Sequence, residues 1–168
     1  LYNISTTIAA SRKIFNIKDN EIINGIQNIS LKGRLEEIKS GKLKTIAGNN
    51  RLIVDGGHNI SASLSIANWI KNQNQEVNLI VGMMKDKEHI EFIKAFENIV
   101  NSITLIDIPN QDGAISKEDL ESKLNDLNLN IKRSQSIESA IKSLSKNENT
   151  ITVCIGSLYL AGEILKLN

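Results

Sequence analysis

Residues 51–60 read Arg-Leu-Ile-Val-Asp-Gly-Gly-His-Asn-Ile. A short apolar run ends in an acid, two glycines, a histidine and an asparagine, and an amphipathic segment follows. The pattern predicts a buried parallel strand that stops, turns tightly and opens into a helix. Ligands of open α/β sheets gather outside the carboxyl ends of strands. Asp55 and His58 are therefore expected at a working edge, not in a core.

The same alternation recurs on either side. The main body is expected to start near Lys32-Gly33-Arg34, with strands over 34–39 and 43–47 separated by Ser40-Gly41-Lys42. A helix over 60–71 can turn Leu64, Ile66, Ala67 and Ile70 toward a sheet. Strands are expected at 77–81, 103–108, 129–132 and 151–155, and helices at 88–100, 137–146 and 158–167. Ser116, with Asp119 three residues on, resembles a variant capping box for a further helix to about residue 126, and Ser136 caps the next. His89 reads as a surface residue of its helix. Repeated strand–helix alternation implies βαβ units with right-handed crossovers. The expected fold is α/β: a Rossmann-like, mostly parallel sheet with helices on both faces. Pro109, the only proline, falls just past a strand, where it disturbs no ladder. Ahead of this body, residues 3–15 and 19–27, the second capped by Asp19, form a helical appendage. Its apolar face is expected to pack on something preceding residue 1.

Composition excludes several classes. The 168 residues are 40% hydrophobic and 23% charged, an ordinary globular mix. A net charge of +1 gives no strong field for nucleic acid or a membrane surface. Aromatics at 4% are too few for a base-stacking platform. The single cysteine, Cys154, lies in the apolar run Ile-Thr-Val-Cys-Ile, so neither a disulfide framework nor a thiolate cluster can form. That usage fits a cytoplasmic protein. No apolar stretch reaches membrane-spanning length and no signal-peptide pattern opens the chain. The sequence starts at Leu1 without Met, so it is expected either to be a piece of a longer protein or to have its own start outside the residues given.

No strand is followed by G-x-G-x-x-G, and no Walker A sequence exists, since Gly41-Lys42 runs into Leu43 without the earlier glycine. Four stretches remain. Gly33-Arg34-Leu35-Glu36 pairs a flexible backbone with a guanidinium fork suited to phosphate, although a solvated surface arginine has the same spacing. In Asp55-Gly56-Gly57-His58-Asn59 the acid can accept from ribose hydroxyls and His58 can donate to an anion or carry a proton, while Asn59 can cap the helix. Lys85 and Lys87 of Gly82-Met83-Met84-Lys85-Asp86-Lys87-Glu88 can neutralise anionic groups, or form a solvated loop. Gly156-Ser157-Leu158-Tyr159 starts a helix, with Ser157 as a cap or an anion contact. Three of these loops leave separate strands and are expected to converge at one edge.

Taken in order, Gly33-Arg34-Leu35-Glu36, Asp55-Gly56-Gly57-His58-Asn59, Met84-Lys85-Asp86-Lys87 and Gly156-Ser157-Leu158-Tyr159-Leu160 resemble the C-terminal domain of folylpolyglutamate synthase/dihydrofolate synthase, of the Mur ligase superfamily. The resemblance covers essentially the whole chain. It implies an ATP-dependent ligase that phosphorylates the carboxylate of dihydropteroate or a folate tail and lets the amine of glutamate attack the acyl phosphate. It implies residues 1–31 as the end of a preceding ATPase domain and 32–168 as the Mur-type C-terminal domain. The P-loop, the Mg²⁺ ligands and the folate pocket belong to that N-terminal partner domain, so this chain alone is expected to be inactive. By matching position, Asn3, Arg34 and Asp55 contact ATP: Asn3 the nucleotide, Arg34 the phosphates, Asp55 the ribose side. His58 lies near the reacting phosphate or the glutamate, and Lys85 and Ser157 are on the glutamate side. Two departures are visible: the family usually has Ala where Gly57 stands and Pro where Ile60 stands. Two other readings compete, a non-catalytic binding module and the C-terminal domain of another Mur-type ligase. Lys85-Asp86-Lys87 and Gly156-Ser157-Leu158-Tyr159 favour the folate enzyme over cell-wall ligases.

Overall fold

A computed structural model describes residues 2–29 and 31–168, with side chains from Ile4 onward. The chain divides into two compact units, with the boundary between Lys32 and Gly33.

The first unit holds α1 (Tyr2–Ile14) and α2 (Asp19–Gln27). Asp19 is the first helical residue of α2, not its cap. The N-cap is Lys18, whose backbone N–H donates to the Glu21 carboxylate at 2.8 Å. Asp19 instead accepts from Arg12 of α1, and its negative charge in the first turn suits the helix dipole. Ile4, Ile8, Ile22, Ile26 and Ile29 line an apolar groove of about 470 Å³ between these two helices.

The second unit runs β1 (Glu36–Glu37), α3 (Lys42–Ala47), β2 (Arg51–Val54), α4 (Ile60–Lys71), β3 (Val77–Val81), α5 (His89–Lys94), β4 (Ser102–Leu105), α6 (Lys117–Lys123), β5 (Ile131–Arg133), α7 (Ile137–Leu144), β6 (Ile151–Ile155) and α8 (Leu158–Leu167). The sheet order is β1-β2-β6-β3-β4-β5. Every neighbouring pair is parallel except β1 with β2. This is the expected mostly parallel α/β sheet.

The period of two along each central strand sorts its side chains into two cores. Leu79, Val81, Val153 and Ile155 meet Ile66, Ile70, Phe92, Phe96 and Leu120 on one face. Ile80, Cys154, Leu52 and Val54 meet Leu43, Ile141, Leu144, Leu160 and Ile164 on the other. Phe92 and Phe96 stack edge to face at 5.8 Å, one turn apart on the stretch 92–96. Burial pushes the Cys154 thiol up to about 12, which leaves it an inert core residue.

Several local expectations are overturned. The segment expected as a strand over 43–47 is helix α3, because its N-terminus is capped from a distance. Asn168 Oδ1 accepts from the backbone N–H of Leu43 at 3.1 Å and of Lys44 at 3.4 Å, while its Nδ2 donates to the Ser40 carbonyl at 2.7 Å. Leu43 and Ala47, four residues apart, then share the buried face. The strand expected over 34–39 shrinks to Glu36–Glu37, since Gly33 (φ 64°) and Leu35 (φ 43°) take left-handed backbone and turn the chain first. Helix 88–100 stops at Lys94 and helix 117–126 at Lys123, and the strands expected at 103–108 and 129–132 are Ser102–Leu105 and Ile131–Arg133. Leu64 faces solvent at 59% exposure instead of the sheet. His89, expected at the surface, is buried at 4%.

Two predictions follow from these contacts. Asn168→Ala removes the acceptor for α3 and the donor to Ser40, and is expected to cost about 1–2 kcal/mol in urea unfolding. Asn168→Asp, which keeps the acceptor, is expected to lose less. The second concerns the edge strand. Arg51 forms a two-pronged pair with Glu37, Nε to Oε1 and Nη2 to Oε2, each at 3.1 Å. The Arg51 hydrogen bond holds the Glu37 carboxyl below its usual range. A depressed folded-state pKa stabilises above the unfolded value of about 4.3 and is lost as pH falls through the folded one. Glu37→Gln should therefore cost about 0.5 kcal/mol at neutral pH, discounted for the pair's exposure, and nothing in strong acid, read from urea midpoints at both.

Candidate functional site

Three neighbouring strands, β2, β6 and β3, end at one edge of the sheet and release the three predicted loops side by side. Backbone hydrogen bonds tie the loops together. Gly56 N–H donates to Gly33 O at 2.8 Å, Gly156 N–H to Gly57 O at 3.0 Å, and Gly82 N–H to Ile155 O at 3.3 Å. Gly156 has φ 112°, and a Cβ there would stand 2.7 Å from Gly82 O, so only glycine allows this approach.

On this base sits an open groove of about 560 Å³, lined by His58, Lys85, Lys87, Ser157 and Tyr159 among others. It brings together His58, Lys85 and Ser157, three of the residues singled out from sequence. Asp55 lies beneath it at 7% exposure. Its Oδ1 accepts from Gly57 N–H at 2.6 Å and its Oδ2 from Leu35 N–H at 2.8 Å. Asp55 thus fixes the loop that carries Arg34, a coupling across 20 residues that spacing does not reveal. Arg34 itself is exposed, with Nη1 3.5 Å from where a Gly56 Cβ would be. Among the described residues it makes no hydrogen bond or ion pair, so its donors remain available to a ligand. The side chain of Asn3 lies outside the described residues.

The tautomer of His58 follows from its partner. Nδ1 stands 2.9 Å from Gly56 O, and a carbonyl can only accept, so Nδ1 carries a proton. In the neutral ring Nε2 is then the atom able to take up a proton. Ser157 caps α8, its Oγ accepting from Tyr159 N–H at 3.0 Å, while its own O–H remains a donor. Asn59 caps α4 by accepting from Ala62 N–H at 2.9 Å. The cap readings of Ser157 and Asn59 therefore hold, and neither removes a neighbouring group from the groove.

The groove's cations are held by carbonyls and one acid. Lys85 Nζ donates to Asp112 O and Lys85 N–H to Gly113 O, both at 2.9 Å. Lys87 pairs with Asp86 at 2.9 Å, and that hydrogen bond holds the Asp86 carboxyl below its usual range. The wall formed by 107–117 is pinned by Asp107, which accepts from Lys117 N–H at 2.9 Å and from the Lys117 ammonium. Burial alone would raise the Asp107 pKa, yet the Lys117 contacts bring it below the usual carboxylate range. Sequence reasoning missed Asp107, quoted Tyr159 in a motif without giving it a role, and read His89 as a surface residue. For His89 a signal existed: with Phe92, Ile93 and Phe96 it falls on one helical stripe.

No group of three or more His, Cys, Asp or Glu residues that could hold a metal ion occurs among the described residues. No described helix is long and apolar enough to cross a membrane.

Residues 39–167 match the family described as "Dihydrofolate synthetase, C-terminal domain". A probable dihydrofolate synthetase of Schizosaccharomyces pombe is 22% identical over 169 residues, covering 90% of this chain and 38% of its own. The structure of E. coli FolC in complex with DHPP and ADP superposes with a TM-score of 0.78 at 20% identity, over 98% of this chain and 38% of that one. Bifunctional folylpolyglutamate synthase/dihydrofolate synthase of Yersinia pestis, with Mn, AMPPNP and L-glutamate bound, gives 0.70 at 19% identity, over 89% and 34%. The chain thus spans little more than a third of the length of these relatives. At such identity the structural likeness speaks for the fold, while the match over 39–167 decides the family: the chain belongs to the dihydrofolate synthetase C-terminal domain family.

Proposed function

We propose that this chain is the C-terminal domain of an ATP-dependent ligase that joins glutamate to dihydropteroate or to a folate tail through an acyl phosphate. The observation that carries the reading is the family match over 39–167, a stretch that includes the groove residues His58, Lys85 and Ser157; Arg34 precedes the matched stretch, on the loop that Asp55 holds through Leu35 N–H. The nucleotide and glutamate bound to the solved relatives support the same ligand classes here.

In this reading the unpartnered Arg34 guanidinium meets the nucleotide phosphates, where fixed positive charge offsets the charge that moves in phosphoryl transfer. Asp55 keeps the Arg34 loop in place and offers its remaining lone pairs on the ribose side. His58, protonated at Nδ1, presents Nε2 toward the reacting phosphate or the incoming amine. Lys85 and Ser157 supply donors for the carboxylates of glutamate. Asn3 is assigned to the nucleotide by resemblance alone. The divalent cation neutralises phosphate charge when bound. The described residues include no cluster fit to ligate it. In this reading its ligands and the phosphate cradle come from an N-terminal ATPase domain. The protein, in the same reading, works in the cytoplasm, with that N-terminal ATPase domain as the partner of residues 32–168.

The decisive assay gives the full-length protein ATP, Mg²⁺, L-glutamate and either dihydropteroate or a reduced folate. ADP release that requires both glutamate and one of these acceptors is expected. ADP release independent of them, or only with a cell-wall precursor, overturns the proposal. The 168-residue chain alone is expected to show no turnover. Arg34→Ala in the full-length protein is expected to lower kcat/KM for ATP by a factor of roughly ten to a hundred or more, about 1.5–3 kcal/mol for one charge-assisted contact. The KM for the folate acceptor should stay unchanged. An unaltered kcat/KM for ATP removes Arg34 from the nucleotide.

A further inference from the structure

His89 is a buried imidazole with two partners on two different elements. Nε2 stands 2.9 Å from the carbonyl of Met84, in the loop that follows β3. Nδ1 stands 3.4 Å from the Lys123 ammonium, at the end of α6. A carbonyl can only accept and an ammonium can only donate. The pair of contacts therefore dictates one state, a neutral ring with its proton on Nε2 and its lone pair on Nδ1. A charged ring would set an N–H against the ammonium.

Met84 is the residue before Lys85 and itself lines the groove. Around it the loop is stitched to the 107–117 wall: Lys85 N–H donates to Gly113 O at 2.9 Å, Ile115 N–H to Met83 O at 3.0 Å, and Met84 bridges Ala114. The peptide whose oxygen His89 holds is the one that contributes Lys85 N–H. Fixing its plane fixes where Lys85 leaves the loop. Glycine at 82 leaves the start of this loop without a side chain to anchor it.

We propose that His89 is a positioning residue of the groove: as the Nε2–H tautomer it ties the Met84 carbonyl to α6 through Lys123 and so sets the direction of Lys85. The importance of that direction rests on the function proposed above. The contact network does not, and it can be tested without any ligand.

The test uses the ¹⁵N-labelled chain. Two-bond ¹H–¹⁵N spectra of His89 should show a protonated Nε2 and an unprotonated Nδ1, and a ring protonated at Nδ1 overturns the proposal. Amide exchange then reads the loop. His89→Ala should speed exchange at Lys85 and Ile115 at least tenfold while Leu79 and Val153 in the sheet stay protected. His89→Gln, which keeps a donor at the ε position, should restore much of that protection. Unchanged exchange at Lys85 and Ile115 in His89→Ala overturns the proposal. Where the alanine variant loses sheet protection as well, Lys123→Met decides: the proposal expects the His89 Nδ1 resonance to shift and Lys85 exchange to rise, and no change in either overturns it.

Discussion

Three backbone loops press together at one edge of the sheet, and the approach is closer than any side chain would permit. Gly156 bends at positive φ with Gly82 O 2.7 Å from where its Cβ would be, and the Gly57 carbonyl accepts its N–H. Because β6 lies between β2 and β3, the loop it releases is the keystone of the other two. Backbone amides and carbonyls left at strand ends must find partners. Here Gly56, Gly156 and Gly82 donate to carbonyls of the adjoining segments, which ties the floor of the groove together.

Side chains then act on that floor in two ways. Some build it: Asp55 is drawn under the edge to hold Leu35 and Gly57, and Asp107 anchors the far wall through Lys117. Others line it: His58, Lys85 and Ser157 keep donors or a basic nitrogen toward the space. The division follows burial. A carboxylate at 7% exposure is tolerable because backbone N–H groups replace its water. Arg34 and Lys85 are exposed and Lys87 is half-buried beside Asp86, so none of these cations needs a buried partner.

The second unit contains both apolar cores and a complete sheet, yet no metal-ligating cluster among its described residues. It offers charged side chains and bound backbone along one sheet edge. The relatives that it matches are more than twice as long as this chain.

The apolar runs 51–54, 77–81 and 151–155, each followed by glycine or Asp-Gly, determined the parallel sheet and the edge on which the groove lies. Strand end, tight turn and helix start are local properties, so Asn59, Ser116, Ser136 and Ser157 were legible as caps from the chain alone. Contacts distant in sequence decided the rest. Residues 43–47 became helical because Asn168 caps them from 125 positions away. Residues 34–39 lost most of their strand because Leu35 N–H is claimed by Asp55 and the turn at Gly33 precedes pairing. His89 became a buried connector because Met84 and Lys123 reach it from two elements. Periodicity along a chain records which face of an element is apolar; which distant polar group meets a given amide or imidazole is settled only when the elements pack.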